Sequence, residues 1–384
     1  MEEKNQKKLY IFLNVFTYMA FSFGMTQFTP FLSKLGYDSM ERGVLLSSFA
    51  VMTIILQMLF GFLSDKYKTV KTFMVFALLI YAVSTYLFYI KEEQFFVYHM
   101  IAIAFSGGLL NTSCGLSDTW ILGSNEYLRR QLSFIKAFGS IGWAVGSIIL
   151  PTIIFQFGYR GVSNGILSLS ILSLGIIYFI KDVNKIHNKK INKTKVSDVK
   201  ELVLNKKYNL LVFVLFLMYC VIIANNSAVV DKMLILGATD LQIGYKWSIQ
   251  SVIEIPTYLF GVYFLQKFNH YFLLKISATA LTIQFILFGA CSSVIGIIIL
   301  SGFQMLTTPL LMIASKNLIF ELTSDEMKST GQLYAMSIFA GISSLLVPIC
   351  AGTITRYYNV NITLFIAASL SAIAFILINV LKKI

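Results

Sequence analysis

Long apolar runs, each closed by a short charged break, constrain this chain more than any other feature. Between Lys71 and Lys91, for example, the sequence reads TFMVFALLIYAVSTYLFYI, with no charge at all. About 20 such residues in a helix cross the hydrocarbon core of a bilayer. In lipid every backbone polar group must be satisfied within the protein, which leaves helices or a closed barrel. A barrel would show alternating segments of about ten residues. The runs here are continuous and rich in Leu, Ile and Phe, which predicts helices. Composition excludes soluble domains: 57% of residues are hydrophobic and 13% charged, with a mean hydropathy of +0.75. A globular chain is about a quarter charged, and a soluble fold this apolar would expose large sticky patches.

The breaks define twelve expected spans: 9–33, 42–64, 72–90, 95–122, 133–155, 162–180, 208–231, 242–265, 272–290, 294–321, 330–354 and 362–381. The fold class expected is an all-α membrane protein. Lys and Arg cluster in alternate breaks, at Lys66, Lys68 and Lys71, at Arg129 and Arg130, and at Lys382 and Lys383, with the densest group between Lys181 and Lys207. Lys34, Arg42, Lys91, Arg160, Lys232, Lys246 and Arg356 are assigned to the opposite side. The asymmetry predicts cytoplasmic N- and C-termini. The net charge of +13 then reports topology and anionic lipid headgroups rather than nucleic acid. Segment 181–207 is the one long polar stretch, and it divides the chain into a 1–180 half and a 208–384 half of six spans each.

Chemistry of other kinds finds no support. There is no H-E-x-x-H and no G-x-S-x-G, so no enzyme is expected, and no cofactor or metal. Cys114, Cys220, Cys291 and Cys350 sit in apolar runs without a C-x-x-C pair, and His99, His187 and His270 have no ligand spacing. All five prolines (Pro30, Pro151, Pro256, Pro309, Pro348) fall inside expected spans, where they permit bends.

Two groups of residues carry a resemblance. Gly61-Phe-Leu-Ser-Asp65-Lys66-Tyr67-Lys68-Thr-Val-Lys71 joins the second and third spans. It resembles the major facilitator signature G-x-x-x-D-(R/K)-x-G-x-(R/K)-(R/K) at Gly61, Asp65, Lys66 and Lys71, with Lys68 where the second Gly would stand. The resemblance implies two six-helix bundles working by alternating access. It also implies a cytoplasmic gate in which Gly61 admits a neighbouring helix and Asp65 pairs with Arg129 or Arg130. The second group is Phe134-Ile-Lys136-Ala-Phe-Gly139-Ser-Ile-Gly142-Trp143, with Asp118 eighteen positions before Lys136. It is similar to the fourth and fifth helices of the oligosaccharide:proton symporter group of lactose permease. There an acidic residue partners a basic one, and a Trp seven positions further on stacks on the sugar.

The residues support this independently. Asp118 and Lys136 are equidistant from a turn near Tyr127, so they should meet at one depth on adjacent antiparallel helices. Ionisable residues inside membrane helices are functional candidates and usually paired. Glu254, midway along the eighth span, is the third candidate, because a carboxylate there must face a cavity or be protonated. The substrate-binding set is therefore Asp118, Lys136, Trp143 and Glu254. The symporters' coupling charges on the ninth and tenth helices correspond here to Gln284, Gln304 and Thr307, none of which titrates. Asp231, beside Lys232, reads as interfacial. Asn14, Tyr18, Gln27, Asn225, Asn226 and Gln250 are further candidates to line a cavity.

The expectation is a secondary transporter of the bacterial cytoplasmic membrane. It would move a small-molecule substrate, a di- or oligosaccharide first, as a monomer among membrane lipids and with protons as a candidate co-substrate. A nucleoside or aromatic-acid carrier, or a non-transporting solute sensor on the same fold, is the alternative.

Overall fold

The computed structural model describes residues 2–182, 204–323 and 328–383, without the side chains of Glu2, Asp65, Ser133, Val262, Lys328, Ser329, Thr330 and Leu333. The expected linker, 181–207, therefore lies outside the described residues from 183 to 203. Among the described residues the ordered elements are all helical. In chain order they are α1 (Glu2–Met25), α2 (Phe28–Lys34), α3 (Ser39–Lys66), α4 (Lys71–Ile90), α5 (Phe96–Gly123), α6 (Glu126–Arg130) and α7 (Leu132–Phe179). They continue with α8 (Lys206–Asn226), α9 (Ala228–Ile235), α10 (Asp240–Leu259), α11 (Gly261–Lys267), α12 (His270–Ala290) and α13 (Val294–Leu300). The last are α14 (Thr308–Glu321), α15 (Lys328–Met336), α16 (Ser343–Tyr357) and α17 (Val360–Lys383).

Among the described residues, ten helical stretches are long and apolar enough to cross a membrane. Two expected spans merge into α7, where Gly158 (φ +63°, ψ −165°) is the one non-helical residue inside the run. Glycine alone reaches that conformation without strain. The expected eighth span is divided at Phe260 between α10 and α11, and neither is among the ten. Its stripe of Lys246, Gln250 and Glu254 lowers its hydropathy.

The chain packs as two compact units, Met1–Ile186 with Gly237–Ile255, and His187–Leu236 with Pro256–Ile384. In the first unit α1 lies along α7 in its most extensive contact. Glycines allow this approach. A Cβ on Gly142 would stand 2.2 Å from the Val15 carbonyl oxygen, and one on Gly146 would stand 2.1 Å from Ser22 Oγ. Without a hydrophobic drive between helices in lipid, such small-residue contacts are a main source of helix association. Beyond them lies an aromatic core in which Phe31 packs on Phe88, Tyr89 and Tyr159. His99, fully buried beside it, hydrogen-bonds Tyr37 Oη (2.9 Å) and the Lys91 carbonyl (3.1 Å).

The end of α7 is tied down at several points. Asp182 accepts from the backbone N–H groups of Val70 (3.2 Å) and Lys71 (3.1 Å) and from the Thr69 hydroxyl, which caps α4. A carboxylate there satisfies orphan N–H groups and complements the helix dipole. Lys71 Nζ in turn donates to the carbonyls of Tyr178 and Ile180, both at 2.8 Å. Trp120 Nε1 donates to the Lys181 carbonyl at 3.1 Å.

In the second unit α17 packs between α12 and α8, and Ser371 Oγ donates to the Ala278 carbonyl at 2.8 Å. The expected tenth span is interrupted rather than continuous. A 3₁₀ turn, Ser301–Leu306, separates α13 from α14, and Thr307 is non-helical (φ −101°, ψ −97°). Pro309 follows in the first turn of α14, where its missing N–H costs nothing. A π-helical turn, Ser337–Ile342, lies between α15 and α16.

Candidate functional site

The site is built on the return of α5 through α6 into α7. Asn125 caps α6 by accepting from the Leu128 N–H at 2.9 Å, which sets the reversal of direction. Asp118 then stands just before the end of α5, and Lys136 stands one turn into α7. Lys136 Nζ donates to Asp118 Oδ2 at 2.6 Å, with 39% and 35% of the two side chains exposed. A pair this open is screened and contributes little to stability. It does keep free lone pairs and N–H groups for a ligand, and charged partners make the stronger hydrogen bonds.

Trp143 lies seven residues beyond Lys136, on the same helical face, and is half-buried. Glu254 is half-buried on α10, in the same compact unit. That helix packs closely on α7, since a Cβ on Gly244 would stand 2.3 Å from the Ser147 carbonyl oxygen. The structure thus joins Asp118 to Lys136 and places Trp143 and Glu254 within the same unit.

Lys246, inside the expected eighth span, is fully buried, with Nζ 3.3 Å from the centroid of the Trp247 ring. A cation over an aromatic face is attracted by the ring quadrupole. The signal was present in the spacing. Lys246, Gln250 and Glu254 recur every four residues, so one face of α10 is polar, and the structure buries Lys246 and Gln250 on it. Asp231 and Lys232, expected at the outer end of the seventh span, are likewise buried in the protein. Lys232 Nζ bonds Asn361 Oδ1 and lies 3.3 Å from the Gly289 carbonyl, which draws it inward.

A Cβ on Gly61 would meet no described atom within 4 Å, so no close helix approach requires a glycine there. Arg130 pairs with Glu126 one turn earlier, and Arg129 Nε donates to the Leu122 carbonyl at 3.0 Å. The Asp65 side chain lies outside the described residues. Lys66 Nζ stands 5.5 Å from the centre of the Tyr67 ring. Lys71 holds the end of α7. Lys68, at the place of the signature's second Gly, has φ +54°, the one positive φ among described non-glycine residues. The turn keeps its left-handed residue although the glycine is gone.

At the three places that lack coupling charges, neutral groups brace the interrupted helix. Gln284 Nε2 donates to the Leu300 carbonyl (3.2 Å), Gln304 Nε2 to Thr308 Oγ1 (2.9 Å) and Thr307 Oγ1 to the Gln304 carbonyl (3.2 Å). Ser277 Oγ donates to the Thr307 carbonyl at 2.8 Å. The Gln304 and Thr307 carbonyls also accept the backbone N–H groups of Thr307 (3.2 Å) and Leu311 (3.1 Å), so the side chains add second bonds at the interruption. Among the described residues no group of three or more His, Cys, Asp or Glu could hold a metal ion.

Residues 8–367 match the MFS_1 like family. The chain belongs to that family. No curated protein matches it in sequence. Its fold is similar to that of the nucleoside transporter NupG, with a TM-score of 0.83 at 16% identity over 99% of this chain and 100% of that one. A point mutant of NupG gives 0.85 at 15% identity, over 98% and 99%. PepTSo, a POT family transporter, gives 0.73 at 13% identity, over 99% and 98%. Identities this low speak to the fold alone. With the family, they make the chain a multi-pass membrane transporter of the major facilitator kind.

Proposed function

We propose that this transporter carries a small hydroxylated ring compound across the cytoplasmic membrane by alternating access. Its halves would be 1–180 and 208–384, joined by 181–207, as twelve spans with both termini in the cytoplasm. The observation that carries the reading is the half-open Asp118–Lys136 pair with Trp143 on the same face of α7. A carboxylate accepts from vicinal hydroxyls and an ammonium donates to them, while an indole covers the apolar face of the ring. Glu254 adds a second carboxylate.

A nucleoside is the leading substrate. The likeness to NupG supports it, and so does the neutral bracing at Gln284, Gln304 and Thr307, which leaves no titrating group where saccharide symporters carry theirs. A di- or oligosaccharide is the second reading, favoured by the spacing of Asp118, Lys136 and Trp143. On either reading proton coupling, if present, runs through Asp118 and Glu254.

The test is a melting-temperature screen of the purified protein with nucleosides, disaccharides, raffinose and aromatic acids, with Asp118→Asn in parallel. A ligand at 100 times its Kd stabilises the folded state by about 2.7 kcal/mol. A nucleoside shift lost in Asp118→Asn supports the first reading, and a sugar shift lost there supports the second. A shift that survives the substitution overturns the site. Uptake into vesicles by the responding protein separates a carrier from a sensor.

A further inference from the structure

Helix α7 carries Lys136 and Trp143 on one face, and Gly139 lies between them on that face. The gap that glycine leaves is filled from another helix. A Cβ on Gly139 would stand 3.1 Å from both Cγ and Cδ2 of Tyr18, so the ring of Tyr18 occupies the space a side chain would need. The ring is held there. Helices α1 and α7 are in backbone contact at Gly142 and Val15. Phe21 braces the ring from one turn along α1 at 5.8 Å, and Phe21 is itself fully buried against Tyr81. The Tyr18 hydroxyl bonds the thiol of Cys114, one turn before Asp118 on α5. Tyr18, Cys114, Asp118, Lys136 and Trp143 are each half-buried, so each keeps accessible surface.

We propose that Tyr18 is a ligand-contacting wall of the Asp118–Lys136–Trp143 site, seated in the gap at Gly139, and that it takes the flat apolar face of a ring whose hydroxyls turn to the ion pair. This rests on the solute-site reading of those three residues. The ribose or base of a nucleoside and the ring of a sugar share that chemistry. The Cys114 thiol, bonded to the Tyr18 hydroxyl, reports whether the wall is in place.

The experiment uses the full chain in detergent and follows alkylation of Cys114 by N-ethylmaleimide, resolved by peptide mass spectrometry. The sulfur adds across the maleimide double bond, the thiol proton passes to the adjacent carbon, and nothing leaves. Cys350, exposed and in the other unit, is the internal reference. Tyr18→Ala is expected to speed alkylation of Cys114 about tenfold and leave Cys350 unchanged, because the covering ring is gone. Tyr18→Phe keeps the ring and should change the rate less than about threefold. In parallel, uridine and raffinose are titrated by melting temperature. Tyr18→Ala should weaken whichever binds by about tenfold, the loss of one aromatic contact, and Tyr18→Phe by less. Gly139→Ala, which presses on the ring without removing it, serves if Tyr18→Ala fails to fold, and should alter both readouts in the same sense.

An unchanged Cys114 rate, or an unchanged affinity with the ring removed, overturns the wall. Full affinity in Asp118→Asn overturns the underlying site instead. The alkylation measurement needs no solute, so an unchanged rate overturns the seat of the ring even if neither compound binds.

Discussion

The place for a Cβ on Gly142 lies 2.2 Å from the carbonyl oxygen of Val15, so α7 and α1 touch backbone to backbone. The obstacle is main chain and cannot rotate away. Gly142→Ala should therefore force the helices apart at a cost of about 1–3 kcal/mol, the usual range for overpacking. A melting curve of the purified variant checks this, and an unshifted midpoint would contradict the contact.

Asp118→Asn and Lys136→Gln should behave alike in two assays. Each is expected to abolish solute binding. Each should shift the ligand-free melting point little, because both side chains are more than a third exposed and such pairs contribute about 0–1 kcal/mol. A large loss of ligand-free stability in either variant would make the pair a structural bridge.

Asp182→Ala removes the cap of α4 and releases the end of α7 from Thr69, Val70 and Lys71. Loss of a capping side chain costs about 0.5–2 kcal/mol. Faster amide exchange at Val70 and Lys71, with the rest of α4 unchanged, is the expected signature. Uniform exchange across α4 would count against a cap.

Lys68→Gly should stabilise the protein, an unusual sign for a glycine. A left-handed non-glycine residue costs about 1–2 kcal/mol, and the greater freedom of unfolded glycine returns part of that. A net gain of about 0.5–1 kcal/mol is expected, with no gain for Lys68→Ala. Equal melting points for the two variants would remove the strain argument.

Gln284→Leu removes a buried side-chain hydrogen bond to the Leu300 carbonyl at the helix interruption. Such a bond contributes about 0.5–1.5 kcal/mol, so the variant should melt earlier. Because Gln284 does not titrate, the pH profile of uptake should keep its shape. A displaced profile would give this position a part in coupling.

Much of the architecture was legible in the sequence, for reasons that differ from element to element. Uninterrupted apolar runs mark helices because lipid forbids other backbone arrangements. The Asp118–Lys136 contact could be placed by counting outward from one turn, since equal numbers of residues on antiparallel helices reach equal depth. The burial of Lys246 was not legible because charge patterning counts cations without asking which face they share, although its partners in the stripe, Gln250 and Glu254, lie at helical spacing. The interruption at Ser301–Thr307 left only Pro309 as a mark, since Ser, Gln and Thr also occur in unbroken membrane helices. Gly61 matches a signature position although no described atom is pressed against it. Lys68 shows the converse, a required backbone conformation surviving the loss of the residue type that announces it.

The glycines of α7 have a mechanical consequence. With Tyr18, Val15 and Ser22 keyed into positions 139, 142 and 146, α1 and α7 cannot ratchet past one another by a turn, because each step would drive side chains into main chain. The two helices form a single beam. In any rearrangement of the first unit the two helices move as one piece, and the contacts along their shared seam are kept.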